Sequence, residues 1–229
     1  MRYLALACDY DGTLATDGRV DENTEAALER LLDSGRKLIL VTGRQLDDLI
    51  QVFPRINLFE LVVAENGALL YRPASCDQRL LGDRPPEEFI TTLRERGVDS
   101  LSVGRVIVAT WHPHETTVVE TIRDLGLDLQ VIFNKNAVMV LPSGINKAVG
   151  LNAALSELGL SPHNTVGVGD AENDQAFLEL CKCSVAVANA LPMVKQQADL
   201  VTSGSRGAGV TELIDKLIAS DLEELEPRA

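Results

Sequence analysis

Short apolar runs alternate with amphipathic stretches near the start of the chain, and this alternation restricts the possible folds more than any other feature. The apolar runs predict strands over 4–8, 37–41 and 61–64. The stretches between them predict helices over 26–32 and 46–52, which follow polar capping residues and end near glycine or proline. This βαβαβ order predicts a parallel, doubly wound sheet with right-handed crossovers.

The same order resumes later in the chain after an interruption. Residues 72–86 are rich in Pro, Arg, Asp and Gly, which is typical of a domain boundary. The next segment predicts a small α+β module, because its last two strands flank the tight turn Asn134-Lys135-Asn136 and should pair antiparallel. The remaining predicted elements are helices over 85–96, 115–125, 146–158, 173–181 and 209–219 and strands over 103–110, 129–133, 137–141, 165–168, 184–187 and 200–201.

Together these patterns predict an α/β protein with a Rossmann-like, doubly wound parallel-sheet core and an inserted small α+β domain. The core comprises residues 1–82 and 143–229, and the inserted domain comprises residues 83–142. The pair Asn66-Gly67 between two apolar runs predicts a β-hairpin after the third strand. We expect the hairpin segment Glu65-Asn66-Gly67 to be structural.

Composition limits the classes of partner. The 229 residues include 34 acidic and 21 basic side chains, and the formal net charge of −13 disfavours nucleic acid and anionic membrane surfaces. No apolar run reaches the ~20 residues of a membrane span, and no signal-peptide pattern is present, so we expect a cytoplasmic protein. Cys181 and Cys183 are expected to be packing thiols, and the acidic stretch 221–226 a solvated tail.

Two carboxylates stand at the end of the first predicted strand. Asp9 and Asp11 follow an apolar run, and Gly12 comes directly after them. Residues i and i+2 of an extended segment point the same way, and ligands of open α/β sheets bind beyond the carboxyl ends of the strands. Both acids can therefore face one site, although the same residues also fit a polar turn.

Three further segments carry polar residues to the same edge of the predicted sheet. The segment Thr42-Gly43-Arg44 follows the second strand, Lys147 lies at the start of a predicted helix, and residues 169–174 follow a later strand. Each segment alone also fits an ordinary helix start, where acids and small polar residues are favoured. Their shared location at the carboxyl edge favours a functional site.

In this order, the four segments resemble the motifs of the haloacid dehalogenase superfamily of phosphotransferases. The matching segments are Asp9-Tyr10-Asp11-Gly12-Thr13-Leu14, Thr42 in Val41-Thr42-Gly43-Arg44, Lys147, and Gly169-Asp170-Ala171-Glu172-Asn173-Asp174. The resemblance covers the whole chain. The inserted domain resembles the second cap type of the superfamily, which occurs in Cof-like, sucrose-phosphate and archaeal phosphoglycolate phosphatases.

The resemblance implies a catalytic role for several of these residues. Asp9 is expected to attack the phosphorus of a phosphomonoester, and Asp11 to act as general acid and then general base. Thr42 and the backbone N–H of Gly43 are expected to hold phosphate oxygens, and Lys147 to neutralise phosphoryl charge. Additional substrate contacts are expected from Gly12, Arg44 and Asn173.

A divalent cation, Mg²⁺, is also expected. Several carboxylates in a small volume are costly without a shared cation, and hard oxygen ligands suit Mg²⁺. The resemblance implies that Asp9 and Asp170 bind the cation by side chain and Asp11 by its backbone carbonyl. Asp174 is the fourth expected ligand, acting directly, through water, or by orienting Lys147.

Some residues allow two interpretations. Arg44 is placed to meet a second anionic group of a substrate, but it equally suits an ion pair with a surface acid. Trp111, His112 and His114 end a predicted strand of the inserted domain, where they fit either a substrate or metal role or a simple exposed loop.

The predicted function is therefore an Mg²⁺-dependent phosphatase that hydrolyses a small phosphorylated metabolite through an aspartyl-phosphate intermediate. A sugar phosphate and phosphoglycolate are both compatible substrates. The alternatives are a phosphomutase, which passes the phosphoryl group to a second hydroxyl, and a non-catalytic module that binds phosphometabolites. We expect no nucleic-acid or membrane partner, and either a monomer or a homodimer.

Overall fold

The computed structural model describes residues 1–134 and 136–223, which form two β-sheets with helices packed around them. The strands are β1 (Ala5–Cys8), β2 (Lys37–Val41), β3 (Leu61–Ala64), β4 (Leu69–Arg72), β5 (Asp77–Leu80), β6 (Ser102–Val103), β7 (Val108–Trp111), β8 (Leu129–Asn134), β9 (Ala137–Pro142), β10 (Thr165–Gly169), β11 (Cys183–Ala186) and β12 (Leu200–Val201). The α-helices are α1 (Glu22–Asp33), α2 (Leu46–Val52), α3 (Glu87–Glu95), α4 (Glu115–Asp124), α5 (Lys147–Glu157), α6 (Gln175–Leu180), α7 (Pro192–Gln197) and α8 (Arg206–Ser220).

The larger sheet has eight strands in the order β12-β11-β10-β1-β2-β3-β4-β5. The strands from β12 to β3 pair in parallel, and β4 and β5 extend the sheet by antiparallel pairing. Every residue of β1, β3, β10 and β11 is buried, as expected for strands covered on both faces. The strands that follow β1 in the chain lie on one side of it, from β2 to β5, and the later strands, from β10 to β12, lie on the other side. This reversal of strand order at β1 creates the switch point where such sheets bind ligands. The predicted α/β fold class is confirmed.

The smaller sheet has the order β6-β7-β9-β8 and is antiparallel throughout. Helices α3 and α4 pack on it through a buried apolar cluster that includes Phe89, Leu93, Val118 and Val140. We call β6 to β9, together with α3 and α4, the small unit. It lies between β5 and α5 in the chain, so the expectation of an inserted α+β segment is confirmed.

Side-chain caps set the starts of two helices. Asp21 precedes α1, and its carboxylate accepts a hydrogen bond from the N–H of Thr24 (2.9 Å). Asn146 caps α5 in the same way, with its side-chain oxygen accepting from the N–H of Val149 (3.1 Å). Such caps satisfy N–H groups that the first turn of a helix leaves without partners. The second cap fixes Lys147 as the first residue of α5.

Some elements differ from the sequence predictions. The strand predicted over 103–110 is divided into β6 and β7, because the backbone turns where the N–H of Gly104 donates to the carbonyl of Ile107. The sequence predictions lack two elements, β5 and the short helix α7. The residues of β5 are all exposed and therefore show no apolar alternation. The helix predicted over 173–181 begins with a 3-10 turn, Glu172–Asp174, before α6. Lys135 of the turn predicted at 134–136 lies outside the described residues.

The predicted acidic tail begins within the fold. The Asp221 carboxylate accepts hydrogen bonds from the side chain of Arg36 (2.8 Å) and the N–H of Tyr3 (3.4 Å). Leu222 is buried in the main core. The expectation of a solvated tail is therefore wrong for these first residues, and residues 224–229 lie outside the described part of the chain.

Two expectations from composition can be compared with the structure. Cys181 and Cys183 are buried, as predicted for packing thiols. Among the helices that the structure describes, none combines the length and apolarity needed to cross a lipid bilayer.

Candidate active site

The carboxyl ends of β1 and β10 place two acids side by side. These strands pair in parallel, and the N–H of Asp9 donates to the carbonyl of Val168 (3.0 Å). Asp170 follows β10 directly, and both Asp9 and Asp170 are buried. The register of the two central strands therefore brings these carboxylates to one point of the sheet edge.

Lys147 is a buried cation held between two carboxylates. Its Nζ donates to Asp9 Oδ1 (2.7 Å) and to Asp174 Oδ1 (2.6 Å), and the side chain is only 1% exposed. Burial alone lowers the pKa of Lys147, but the Asp174 and Asp9 carboxylates outweigh it and hold that pKa above its usual value. The lysine therefore stays charged within the site.

Both carboxylate oxygens of Asp174 accept hydrogen bonds. Oδ1 accepts from Lys147, and Oδ2 accepts from the N–H groups of Asp170 (2.8 Å) and Ala171 (2.9 Å). The contact leaves no room for a side chain at Gly169, where a Cβ would lie 2.7 Å from Asp174 Oδ2. Asp174 thus shapes the loop after β10 and orients Lys147 at the same time.

The acids form a group that fits a divalent cation. Among residues 1–134 and 136–223, the one cluster of three or more possible metal ligands is Asp9, Asp170 and Asp174, which offer oxygens within 4.8 Å of one another. The ammonium group of Lys147 offsets one of these three charges. Gly12 lies against the cluster without a side chain, since a Cβ there would be 2.5 Å from Asp170 Oδ2. A buried set of oxygen ligands with excess negative charge suits Mg²⁺.

The ionisation of Asp9 is tied to this cluster. Burial, followed by the charge of Asp174, raises the pKa of Asp9 to about 8, and Lys147 opposes the rise. A cation beside the carboxylate favours its ionised form. Occupation of the cluster and ionisation of Asp9 are therefore coupled.

Asp11 lies in different surroundings. Arg44 donates to both of its oxygens, from Nε to Oδ2 (2.6 Å) and from Nη2 to Oδ1 (2.7 Å), and also from Nη1 to Asp48 Oδ2 (2.5 Å). The Asp11 side chain is 43% exposed, whereas Asp9 is buried. Of the two interpretations of Arg44, the structure shows an ion pair, and the paired acids include Asp11 as well as the exposed Asp48.

The segment after β2 lies on the same edge. Thr42 is buried, and its Oγ1 accepts from the N–H of Arg44 (3.1 Å), so the hydroxyl hydrogen can donate elsewhere. Asn173 Nδ2 donates to Asn66 Oδ1 (3.0 Å). Within the described residues, Asn173 Oδ1 and Asn66 Nδ2 are buried without hydrogen-bond partners, and buried polar atoms of this kind need a ligand or water.

A cavity of about 500 Å³ lies between this edge and the small unit. The large-sheet side of its wall includes Asp9, Asp11, Gly43, Arg44, Gln45, Asp48, Ala171 and Asn173. The small-unit side comprises Ser102, Ile107, Ala109, Trp111, Asn134, Ala137 and Met139. The cavity is therefore charged and polar on one side and largely apolar on the other.

The residues after β7 separate into two groups. Trp111 lines the cavity and is 45% exposed. His112 and His114 are not among the lining residues, and His112 Nδ1 lies 2.9 Å from Glu115 Oε2. The place of Trp111 on the cavity wall fits a substrate contact, whereas His112 is exposed and His114 is half-buried away from the lining.

The hairpin after β3 is more closely connected to the site than the sequence suggested. Strands β3 and β4 do pair antiparallel, so the predicted hairpin is confirmed. However, Asn66 contacts Asn173, and the neighbouring Glu65 is completely buried. A further link between the two sides of the cavity is the hydrogen bond from Gln45 Nε2 to Ser102 Oγ (2.8 Å). In the sequence, the one indication that this loop belongs to the site is that an acid, Glu65, directly follows the buried strand β3.

Comparison with known proteins identifies the family. A family model described as haloacid dehalogenase-like hydrolase matches residues 6–107 and 102–214. A phosphoglycolate phosphatase of Methanothermobacter thermautotrophicus is 32% identical over 223 residues, covering 93% of this chain and 98% of the relative. One of Halorubrum lacusprofundi is 30% identical over 223 residues, covering 93% and 96%. The chain belongs to the haloacid dehalogenase-like hydrolase family.

Solved structures show the same fold. A haloacid dehalogenase-like hydrolase from Bacteroides thetaiotaomicron superposes with a TM-score of 0.80 at 19% identity, covering 94% of this chain and 99% of that one. A HAD/Cof-like hydrolase from Plasmodium vivax gives a TM-score of 0.80 at 22% identity, covering 97% of each chain. These likenesses extend over both sheets.

Proposed function

We propose that the chain is an Mg²⁺-dependent phosphatase that hydrolyses a small phosphomonoester through an aspartyl-phosphate intermediate. The observation that carries this proposal is the buried group of Asp9, Lys147, Asp170 and Asp174 at the charged side of the cavity. Family membership supports hydrolysis, and the names of the relatives support a phosphomonoester substrate.

Asp9 is the nucleophile in this mechanism. Its carboxylate lines the cavity, and it attacks the phosphorus as the alkoxide leaves, which gives an aspartyl phosphate that water then hydrolyses. Lys147, at 2.7 Å from Asp9 Oδ1, holds the carboxylate in place and offsets the charge of the phosphoryl group. Asp174 keeps the lysine in this position.

Asp11 acts as the general acid and base. It lines the cavity two residues after Asp9, where its carboxyl group can give a proton to the leaving alkoxide and take one from the attacking water. Both of its oxygens accept one hydrogen bond from Arg44, which leaves a lone pair on each oxygen for the transferred proton. Arg44 thereby sets the resting position of the acid.

The phosphate is held by the edge between β2 and α2. The Thr42 hydroxyl and the Gly43 N–H are the donors for its free oxygens, and Gly12 leaves space beside Asp170. Asn173 contributes an amide with an unpaired oxygen that suits a hydroxyl or water of the substrate shell. Asp9, Asp170, Asp174 and the backbone carbonyl of Asp11 would hold Mg²⁺, which would supply charge neutralisation for the phosphoryl group.

The small unit, which lies within the inserted domain expected over residues 83–142, acts as a cap that excludes water and contacts the rest of the substrate. Relatives named phosphoglycolate phosphatase favour a small substrate with a carboxylate. Arg44 uses three of its five N–H donors on Asp11 and Asp48, which leaves two for such a group in the cavity.

Substitution of the nucleophile tests the proposal. Asp9→Asn should lower kcat for phosphoglycolate and p-nitrophenyl phosphate by at least about 1,000-fold in magnesium, because an amide cannot form the phosphoryl intermediate. Asp33→Asn, an exposed position at the end of α1, is the control and should keep wild-type rates. Retention of most activity in Asp9→Asn contradicts the mechanism.

Product analysis separates hydrolysis from the mutase alternative. Release of inorganic phosphate from a hexose phosphate agrees with a phosphatase, whereas isomerisation without release identifies a phosphomutase. A chain that hydrolyses no member of a broad panel of phosphometabolites in magnesium would be a binding module.

A further inference from the structure

Glu65 joins the large sheet to the small unit. It lies in the loop between β3 and β4 and is completely buried. Its Oε1 accepts from the N–H of Arg105 (2.9 Å), and its Oε2 accepts from those of Val106 (2.7 Å) and Ile107 (2.9 Å). Three successive N–H groups of the β6–β7 turn thus converge on one carboxylate, and hydrogen bonds to a charged acceptor are strong.

The turn is shaped to receive this side chain. A Cβ at Gly104 would lie 2.7 Å from Glu65 Oε1 and 2.8 Å from Ile107 Cγ2. The Gly104 N–H closes the turn by donating to the Ile107 carbonyl (2.8 Å). The carboxylate therefore fits against the backbone, and any larger residue at position 104 would displace it.

The backbone at Glu65 adopts an uncommon conformation. Its φ is +51°, and that of Asn66 is +56°, both in the left-handed region. This region is unusual for a residue with a long side chain, and such conformations persist where surrounding contacts hold them. The contacts of the Glu65 carboxylate account for a glutamate at a position that favours glycine or asparagine.

The same loop is bonded to the proposed phosphate site. The N–H of Glu65 donates to the carbonyl of Arg44 (2.9 Å), and that of Asn66 donates to the carbonyl of Thr42 (2.9 Å). Asn66 Oδ1 also accepts from Asn173. The loop therefore holds both the phosphate side of the cavity and, through Glu65, the turn that leads into the opposite wall.

That wall begins at the bonded turn. Ile107 lines the cavity, and β7 continues from it with Ala109 and Trp111 as further lining residues. A second link from the same turn is the ion pair of Arg105 with Asp47 (2.9 Å). The position of the turn therefore sets the distance between the cavity wall and the phosphate side.

We propose that Glu65 is a positioning residue that fixes the small unit over the cavity, so that substrate groups beyond the phosphate meet the wall formed by Ile107, Ala109 and Trp111. This role rests on the proposed phosphatase function. Glu65 touches no reacting atom and acts through the turn at residues 105–107.

Hydrogen–deuterium exchange tests the contact itself. Glu65→Gln keeps the shape but turns an NH₂ group towards N–H donors, so the amides of residues 105–107 should exchange at least about 10-fold faster. Glu212→Gln is the matched control. Glu212 lies on α8, away from the cavity, and its carboxylate also accepts from two backbone N–H groups, those of Ser203 and Gly204. It should leave exchange at 105–107 unchanged.

Kinetics test the positioning role. In Glu65→Gln, KM for p-nitrophenyl phosphate, whose ring must occupy the cavity, should rise about 10-fold, in line with loss of strong hydrogen bonds. The inhibition constant of inorganic phosphate, which needs only the phosphate side, should change less than about 3-fold. Gly104→Ala, which presses a methyl group against Glu65, should give the same pattern if Glu65→Gln fails to fold.

Each outcome decides between explanations. Unchanged exchange at 105–107 in both variants overturns the contact, and equal losses for the organic substrate and inorganic phosphate overturn the positioning role. A wild-type protein that hydrolyses no phosphomonoester refutes the proposed function, while the exchange experiment still reports whether Glu65 holds the turn.

Discussion

Gly12 is the residue whose lack of a side chain matters most for the cation cluster. Its φ is +91°, and a Cβ there would lie 2.5 Å from Asp170 Oδ2 and 2.9 Å from Asp170 Oδ1. Asp170 is buried and shares the cluster with Asp9. A substitution at this position therefore acts on the backbone and on a metal ligand together.

Gly12→Ala should destabilise the fold and weaken Mg²⁺ binding. A matched control is Gly97→Ala, since Gly97 has a similar φ of +84° but a Cβ there would have no atom within 4 Å. Both variants incur a left-handed backbone cost of about 1–2 kcal/mol. Gly12→Ala should lose about 1–3 kcal/mol more through overpacking. Urea unfolding measures both variants, and equal losses would show that the contact with Asp170 has no effect.

The sequence predicts residues at the strand ends better than those between the sheets. Asp9 and Asp170 follow recognisable apolar strands, and parallel pairing then brings their side chains together. Glu65 also follows an apolar strand, but the sequence does not indicate its contacts, because its partners are backbone N–H groups about 40 residues away, which no side-chain pattern marks. The Arg44 pairing with Asp11 was likewise one of two compatible interpretations.

At the scale of elements, α5 is held closely against the large sheet. Gly150 is buried in this helix, and a Cβ there would lie 2.3 Å from Val63 Cγ1 and 2.7 Å from the Cα of Gly67. The close approach lets α5 deliver Lys147 to Asp9 from its first turn. The interior glycine thus serves packing at the expense of helix propensity.

Gly150→Ala should lower stability even though alanine favours helices by about 1 kcal/mol over glycine. The clash with β3 and the hairpin should outweigh that gain and give a net loss of about 1–3 kcal/mol. Asn152→Ala, an exposed position on the same helix, is the control and should be stabilising by about 0.5 kcal/mol. Thermal unfolding compares them, and a stabilised Gly150→Ala would disprove the packing argument.

Element prediction succeeded where burial produces a pattern and failed elsewhere. The predictions for β2, β3 and α2 match because these elements bury continuous or periodic apolar residues. The exposed β5 has no such pattern, and the division between β6 and β7 depends on a turn that the Glu65 contact helps to hold. Tertiary contacts, rather than local preference, decide these cases.

At the scale of the whole molecule, the proposed active site depends on two facing surfaces. The carboxyl edge of the large sheet carries the charged residues, and the small unit supplies the largely apolar cavity wall opposite. The chain carries a formal charge of −13, and three buried acids are concentrated at the edge. Because the pKa of Asp9 is raised from 3.8 to about 8, the folded protein without a cation loses stability as the pH rises through that window. A cation that favours the ionised form offsets the loss.

Magnesium should therefore stabilise the protein more at higher pH. The increase in Tm on adding Mg²⁺ should be small near about pH 5, because the cation must there displace a proton from Asp9. The increase should approach its maximum near about pH 8.5, where Asp9 is ionised more readily. Differential scanning calorimetry with and without Mg²⁺ measures this increase. An increase that does not vary with pH would contradict the coupling between Asp9 ionisation and the cluster.

The central claim is that Asp9 accepts the phosphoryl group, and trapping that intermediate tests it most directly. Wild-type protein mixed with substrate and Mg²⁺ is quenched with acid during turnover, digested, and mapped by mass spectrometry. The phosphoryl group should be found on Asp9 and be absent from Asp9→Asn. A phosphoryl group on another residue, or full activity with no phosphorylated peptide, would contradict the account.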